Sequence, residues 1–165
     1  MSKGILIIGN MNAITYKEVF PLIKDNKLRL GNNSVKQFYF KMESKLVKFG
    51  NVIWYTNIEH GKRHTPLSLM TMSDNLRFSK HKQIRGNSYP KYDNYDAIEV
   101  PFVDAIPSDY EGAMGVPISF LTKYNPEQFE IIGASDNRAV PEKYKLTHFK
   151  KHNEPYINNK KVYKR

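Results

Sequence analysis

The 165-residue chain contains no cysteine. That excludes disulfides and any metal site built on thiolates. No apolar run approaches the ~18 residues that would suggest a membrane-spanning helix. The apolar stretch in the N-terminal "MSKGILIIGNMN" is too short for the core of a signal peptide. The expectation from both is a cytoplasmic protein. Glycine is scarce where it would matter most. The run from Ile5 to Ile8 meets Gly9 as the first strand of a nucleotide-binding fold meets its phosphate loop. No second or third glycine follows, and such loops need several so that backbone can approach phosphate closely. Carboxylates are also outnumbered: 26 Lys and Arg against 16 Asp and Glu give a net charge of +10. A surplus of that size favours a polyanionic partner over an acidic small molecule.

What is present fits one ordinary domain in length, with 40% hydrophobic residues for a core. The continuous apolar run Ile5–Ile8 predicts a strand buried on both faces, as in a parallel sheet. Thr15 followed by Glu18 is a capping box, with Ile14 and Val19 placed as a hydrophobic staple. Tyr16, Val19, Phe20 and Ile23 then recur at helical spacing, although Pro21 either kinks this helix or begins a second one. In "VKQFYFKM" and "NVIWYTNI" apolar residues alternate, predicting two strands able to pair antiparallel across Phe49-Gly50-Asn51. From about Glu59 to Pro107 periodicity is poor. Loop is expected there, with one short strand at Ala97–Val100. Asn125-Pro126-Glu127-Gln128 reads as a capped helical turn.

Charge is clustered. Arg77, Lys80, Lys82, Arg85 and Lys91 carry five positive charges with no acid between them, and Asp93 to Glu111 then holds six acids and no base. Residues 143–165 hold eight Lys and Arg against Glu154 alone. The basic run is interleaved with Tyr89, Tyr92 and Tyr95, so cations could meet phosphates while rings stack on unpaired bases. The alternative is ordinary solvated surface.

Other constellations are weaker. The pairs His60/His64 and His148/His152 have a zinc-like i, i+4 spacing. Each encloses two basic residues that repel a cation, and no third ligand presents itself, so basic surface is expected and no metal. Asp25 with Glu43-Ser44-Lys45 has the rough order of a magnesium nuclease site but falls in an expected loop. Asn10 and Asn12 stand at a strand end, where carboxyl ends of parallel strands face a substrate crevice. Equally, they can cap and turn the chain.

Four blocks, "LIIGNMNAITYKEVFPLIKDNKLRLG", "VIWYTNIEH", "YPKYDNYDAIEV" and "GAMGVPISFLTKYNPEQFEIIG", resemble in that order the C-terminal half of the EcoRI-type adenine-specific DNA methyltransferases. The resemblance implies an S-adenosylmethionine-dependent, Rossmann-like enzyme that flips adenine out of duplex DNA and methylates its exocyclic amine in a restriction-modification context. The family's Asn/Asp-Pro-Pro-Phe/Tyr motif grips that amine. The nine prolines of this chain include no Pro-Pro pair, and no upstream cofactor loop is present. The expectation is therefore a chain that starts past the catalytic motif, binds double-stranded DNA, and neither binds S-adenosylmethionine nor methylates alone. The expected fold is α/β: a partial Rossmann-like sheet of later strands with an antiparallel edge pair, plus an irregular basic DNA-recognition segment. The expected divisions are 1–60 for the sheet, 61–142 for a target-recognition-like region and 143–165 for a basic tail. Lys80, Lys82, Arg85 and Lys91 are expected on phosphates, Tyr89 near bases, and Asn10 and Asn12 at the crevice. The rival expectations are a stand-alone nucleic-acid-binding module and one half of a split enzyme whose N-terminal half is another chain.

Overall fold

The computed structural model describes residues 3–31, 37–134, 142–144, 155–158 and 160–162. The chain divides into two compact units: residues 1–66 with 121–131, and residues 67–120 with 132–165. Together they make a mixed α/β protein of small antiparallel and parallel sheets.

In the first unit, β1 (Leu6–Asn10), β2 (Arg29–Leu30) and β5 (Val52–Thr56) form a three-stranded sheet in the order β1-β5-β2, antiparallel throughout. The strand buried on both faces is β5, where Val52, Ile53, Tyr55 and Thr56 are all buried. The expectation for Ile5–Ile8 is thus corrected. β1 is an edge strand paired antiparallel, and Leu6 and Ile7 are 60% and 53% exposed. An apolar run reports the side chains but not which neighbour covers them.

The helix expected after Thr15 is also corrected. Met11–Thr15 is a 3-10 turn whose first residues are capped by the Asn10 side chain, and Thr15 Oγ1 donates to the Asn12 carbonyl instead of capping a helix. Helix α1 spans only Phe20–Lys24, with Pro21 in its first turn, where a missing N–H costs nothing. It drops Phe20 and Ile23 into the core.

Strand β3 (Gln37–Met42) pairs with β4 (Lys45–Gly50) and not with the "NVIWYTNI" strand. Glu43, at φ 54°, and Ser44 make the tight turn between them. Register places Phe38, Phe40 and Met42 opposite Phe49, Val47 and Lys45, so one face of this ribbon is apolar apart from Lys45 at its tip. The Asp25 and Glu43 carboxylates are not gathered into a metal site: Asp25 pairs with Lys27, and Glu43 sits at the hairpin tip. The turn after Asn125 forms as expected, its side-chain oxygen accepting from Glu127 N at 2.8 Å.

The second unit has less regular structure. Helix α2 (Met72–Phe78) was not expected. Thr71 caps it by accepting from Asp74 N at 3.1 Å and donating to Asp74 Oδ2 at 2.8 Å, and Asp109 Oδ1 accepts from Met72 N at 2.7 Å. The strand expected near Ala97 is present as β6 (Ala97–Glu99), paired in parallel with β7 (Ala113–Gly115). A further hairpin joins β8 (Tyr156–Ile157) to β9 (Lys160–Lys161). It is tied to the loop before β6 by Tyr156 N donating to Asn94 Oδ1 at 3.0 Å. Most of the basic tail, including His148 and His152, lies outside the described residues.

Candidate nucleic-acid interface

The basic segment of the second unit is built on a buried anchor. Ile84 is almost fully buried, and Ile84 N and Arg85 N both donate to the His81 carbonyl at 3.0 Å. Gly86, at φ 77°, reverses the chain and returns its N–H to the Leu76 carbonyl at 2.8 Å. The Asn87 side chain closes the turn by donating to the carbonyls of Lys82 and Arg85. With Ile84 pinned inward, Lys82 and Arg85 are turned outward and exposed. Arg77 at the end of α2 is also exposed, as is Lys91. No ion pair among the described residues engages any of these four.

Lys80 differs from them. Its Nζ lies 2.6 Å from Asp104 Oδ2, and His81 Nε2 lies 2.9 Å from Asp104 Oδ1. Partial burial pushes the Asp104 carboxyl up, but the hydrogen bonds from Lys80 and His81 outweigh it and hold the group below its ordinary value. The His81 ring stacks on Phe102 at 3.6 Å and 3°. Lys80 therefore serves a local ion pair, and its charge is largely offset.

Tyr89 is not at a surface. It is 8% exposed, its hydroxyl donates to the Ala105 carbonyl at 2.6 Å, and burial pushes its pKa up to about 12. A ring held this way is core and is closed to bases in this conformation. Tyr92 and Tyr95 are also buried in the second unit and meet edge to face at 6.4 Å. The Tyr92 hydroxyl bonds the buried Glu99 carboxylate, and Gly115 leaves room for that ring, since a Cβ there would collide with it. The aromatic that is displayed among the cations is Phe78, 69% exposed at the end of α2. Sequence reasoning passed over it. The available signal was Thr71-x-x-Asp74, which starts a helix whose last turn carries Arg77 and Phe78.

Asn10 and Asn12 belong to the first unit and take the capping role. Asn10 Oδ1 accepts from Asn12 N at 2.8 Å and Asn12 Oδ1 accepts from Asn51 Nδ2 at 3.2 Å. His64 bridges two carboxylates, with Nε2 3.1 Å from Glu59 Oε1 and Nδ1 2.8 Å from Glu127 Oε1. Both raise its pKa above the ordinary value, Glu127 the more strongly. No three metal-ligating side chains come together among the described residues. No described helix is long and apolar enough to cross a membrane.

These features sit in a chain whose whole length, residues 1–165, matches the family described as adenine-specific methyltransferase EcoRI. The chain belongs to that family. It is 44% identical to the type II methyltransferase M.EcoRI of Escherichia coli over 149 residues, covering 79% of this chain and 42% of that protein. It is 34% identical to the type II methyltransferase M.MpnI of Mycoplasma pneumoniae, covering 82% and 45%. With M.MgeORF184P of Mycoplasma genitalium the identity is 32%, covering 96% and 53%. The chain thus spans about half the length of the curated relatives it matches. No solved structure gives a significant match.

Membership implies S-adenosylmethionine for the complete enzymes. Gly9, the glycine that follows the β1 apolar run, does not offer the open backbone of a cofactor cradle: a Cβ at that position would lie 2.9 Å from Tyr55 Cε2. The missing side chain makes room for the Tyr55 ring, whose hydroxyl continues to the Asn10 carbonyl at 2.8 Å.

Proposed function

We propose that this chain is the C-terminal portion of an S-adenosylmethionine-dependent, adenine-specific DNA methyltransferase of the restriction-modification type. In this reading it contributes DNA contact, while methyl transfer needs the remaining half, on the same or a second chain. Family membership over all 165 residues supports the parent activity. The observation that carries the DNA-contact role is the set of exposed cations Arg77, Lys82, Arg85 and Lys91, none of them ion-paired among the described residues, in and around the turn anchored by Ile84. Phosphate contact by such side chains is sequence-independent and sets register on the duplex. The rest of the Rossmann-like sheet belongs to this proposal too. The absence of any Asn/Asp-Pro-Pro segment from these 165 residues supports catalytic inactivity of the chain alone.

The test is duplex binding across a salt series. Replacing Lys82, Arg85 and Lys91 with Glu weakens binding and lowers the slope of log K against log salt by roughly 0.9 for each lost phosphate contact. The purified chain transfers no methyl group from labelled S-adenosylmethionine. Unchanged binding in the triple variant rejects the DNA role, and measurable transfer rejects the inactivity.

A further inference from the structure

The first unit holds one buried and one half-buried arginine, each with guanidinium nitrogen left without a partner. The 3-10 turn Gly61–His64 leaves Lys62 and His64 exposed but turns Arg63 inward, where it is 6% exposed. Arg63 Nε and Nη1 are buried and make no hydrogen bond, and the nearest carboxylate oxygen, Glu59 Oε1, is 4.0 Å from Nε. Arg29 is better served. Nη1 donates to the Asn57 carbonyl at 2.8 Å and Nη2 lies 2.5 Å from Glu59 Oε2, yet its Nε is also buried without a partner.

Both arginines line one open pocket together with Lys62 and Lys123, and no carboxylate lines it. Its volume is about 30 Å³, room for roughly two water-sized atoms. Buried polar groups are nearly always hydrogen-bonded, and a buried charge without a partner is strongly unfavourable. Water can satisfy a donor, but it leaves the charge uncompensated. Glu59 cannot neutralise the group alone, because it is shared by Arg29, His64 and, at longer range, Arg63. Arg63 with Nε and Nη1 unpartnered and Arg29 with Nε unpartnered, flanked by two ammonium groups, match an oxyanion that presents two oxygens together.

We propose that this pocket binds a phosphate group, with Arg63 and Arg29 donating to its oxygens and Lys62 and Lys123 supplying flanking charge. Four cations against one shared carboxylate favour phosphate over a singly charged carboxylate ligand. The site lies in the first unit, apart in sequence from the Lys82–Lys91 segment. Only the choice of a DNA backbone phosphate over a free phosphate compound rests on the function proposed above.

Thermal melting of the full 165-residue chain tests the pocket, with inorganic phosphate against chloride at matched ionic strength. Phosphate is expected to raise the melting temperature in a saturable way. Arg63→Gln abolishes the shift. Lys123→Gln, at an exposed position, keeps the fold and weakens half-saturation roughly tenfold, as for one lost charge-assisted hydrogen bond. The same variants in duplex binding separate the sources. A salt slope lowered by roughly 0.9 assigns the pocket to a backbone phosphate. An unchanged slope in these variants, with the phosphate shift present in the wild type and lost in Arg63→Gln, assigns it to a free phosphate compound. No phosphate-specific shift in the wild type, or an equal shift in Lys123→Gln and wild type, overturns the site. The Lys82, Arg85 and Lys91 triple variant should retain the phosphate shift, so failure of the DNA-contact reading and failure of this one are distinguishable.

Discussion

The β3–β4 hairpin and the segment from Ser79 to Pro107 are opposite in kind. The hairpin has six paired residues on each strand, yet Tyr39, Phe40, Met42, Leu46 and Phe49 are all exposed. The later segment has one three-residue strand and one 3-10 turn, yet Ile84, Tyr89, Tyr92, Tyr95, Ile98, Val100 and Ile106 are buried within it. Backbone regularity and side-chain burial are separate terms, and here they fall on different residues. A two-stranded ribbon satisfies half of its backbone groups by pairing and leaves its faces open, so alone it is marginal. An irregular segment can be stable if its polar groups are answered one at a time. Tyr89 donates to the Ala105 carbonyl, Tyr92 bonds Glu99, and Asn94 accepts from the Tyr156 N–H.

The contrast is sharpest in a pair of truncations. Ile106→Ala removes a fully buried side chain from the irregular segment and should cost about 2–5 kcal/mol. Leu46→Ala removes a side chain 68% exposed on the regular hairpin and should change stability by less than about 0.5 kcal/mol. Urea denaturation of both variants measures the difference. Equal losses would mean that the hairpin face is covered in solution, and the comparison would fail.

A smaller effect is expected where the second unit does form a regular element. Thr71→Ala deletes the cap of α2 and leaves the Asp74 N–H without its acceptor. The expected loss is about 1 kcal/mol. Helix content by circular dichroism should fall little, because α2 is only seven residues long. A neutral Thr71→Ala would show that the Asp109 contact to Met72 N fixes the helix start unaided.

The same separation governs what could be read in the sequence. Local signals with local causes were legible: β6 near Ala97, the Asn125 turn, the alternation of β3, and Pro21 as a break. The partners of strands were not. Alternation gives β3 a face but does not say that Lys45–Gly50 will pair with it, and β1 reads as interior because Ile5–Ile8 carries no polar residue. Thr15-x-x-Glu18 satisfies a capping pattern, but Asn10 caps first and commits the backbone to a 3-10 turn. At the candidate interface the cations were legible as charges, since exposure is their default. The tyrosines were not, because Tyr89, Tyr92 and Tyr95 stand among Pro, Lys, Asp and Asn and look solvated. Arg63 was the least legible residue. An arginine inside "HGKRH" gives no sign of being buried.

The smallest expected effect lies in the first unit, at an ion-pair cluster on its surface. His64 accepts a proton more readily in the fold than in the unfolded chain, because Glu127 and Glu59 both hold it. A raised folded value means that the bridge contributes fully below the ordinary value of 6.5 and is lost as pH rises through the raised value. The melting temperature of wild type relative to His64→Gln should therefore be most favourable below pH 6.5 and shrink as pH rises through the raised value. Because the side chain is 44% exposed, the difference should shrink further in high salt. A difference that is flat with pH would mean that the doubly bridged imidazolium does not form, since a neutral ring has one N–H and can donate to only one of the two carboxylates. The charge balance beside the Arg29–Arg63 pocket would then be more negative at low pH than the paired geometry implies.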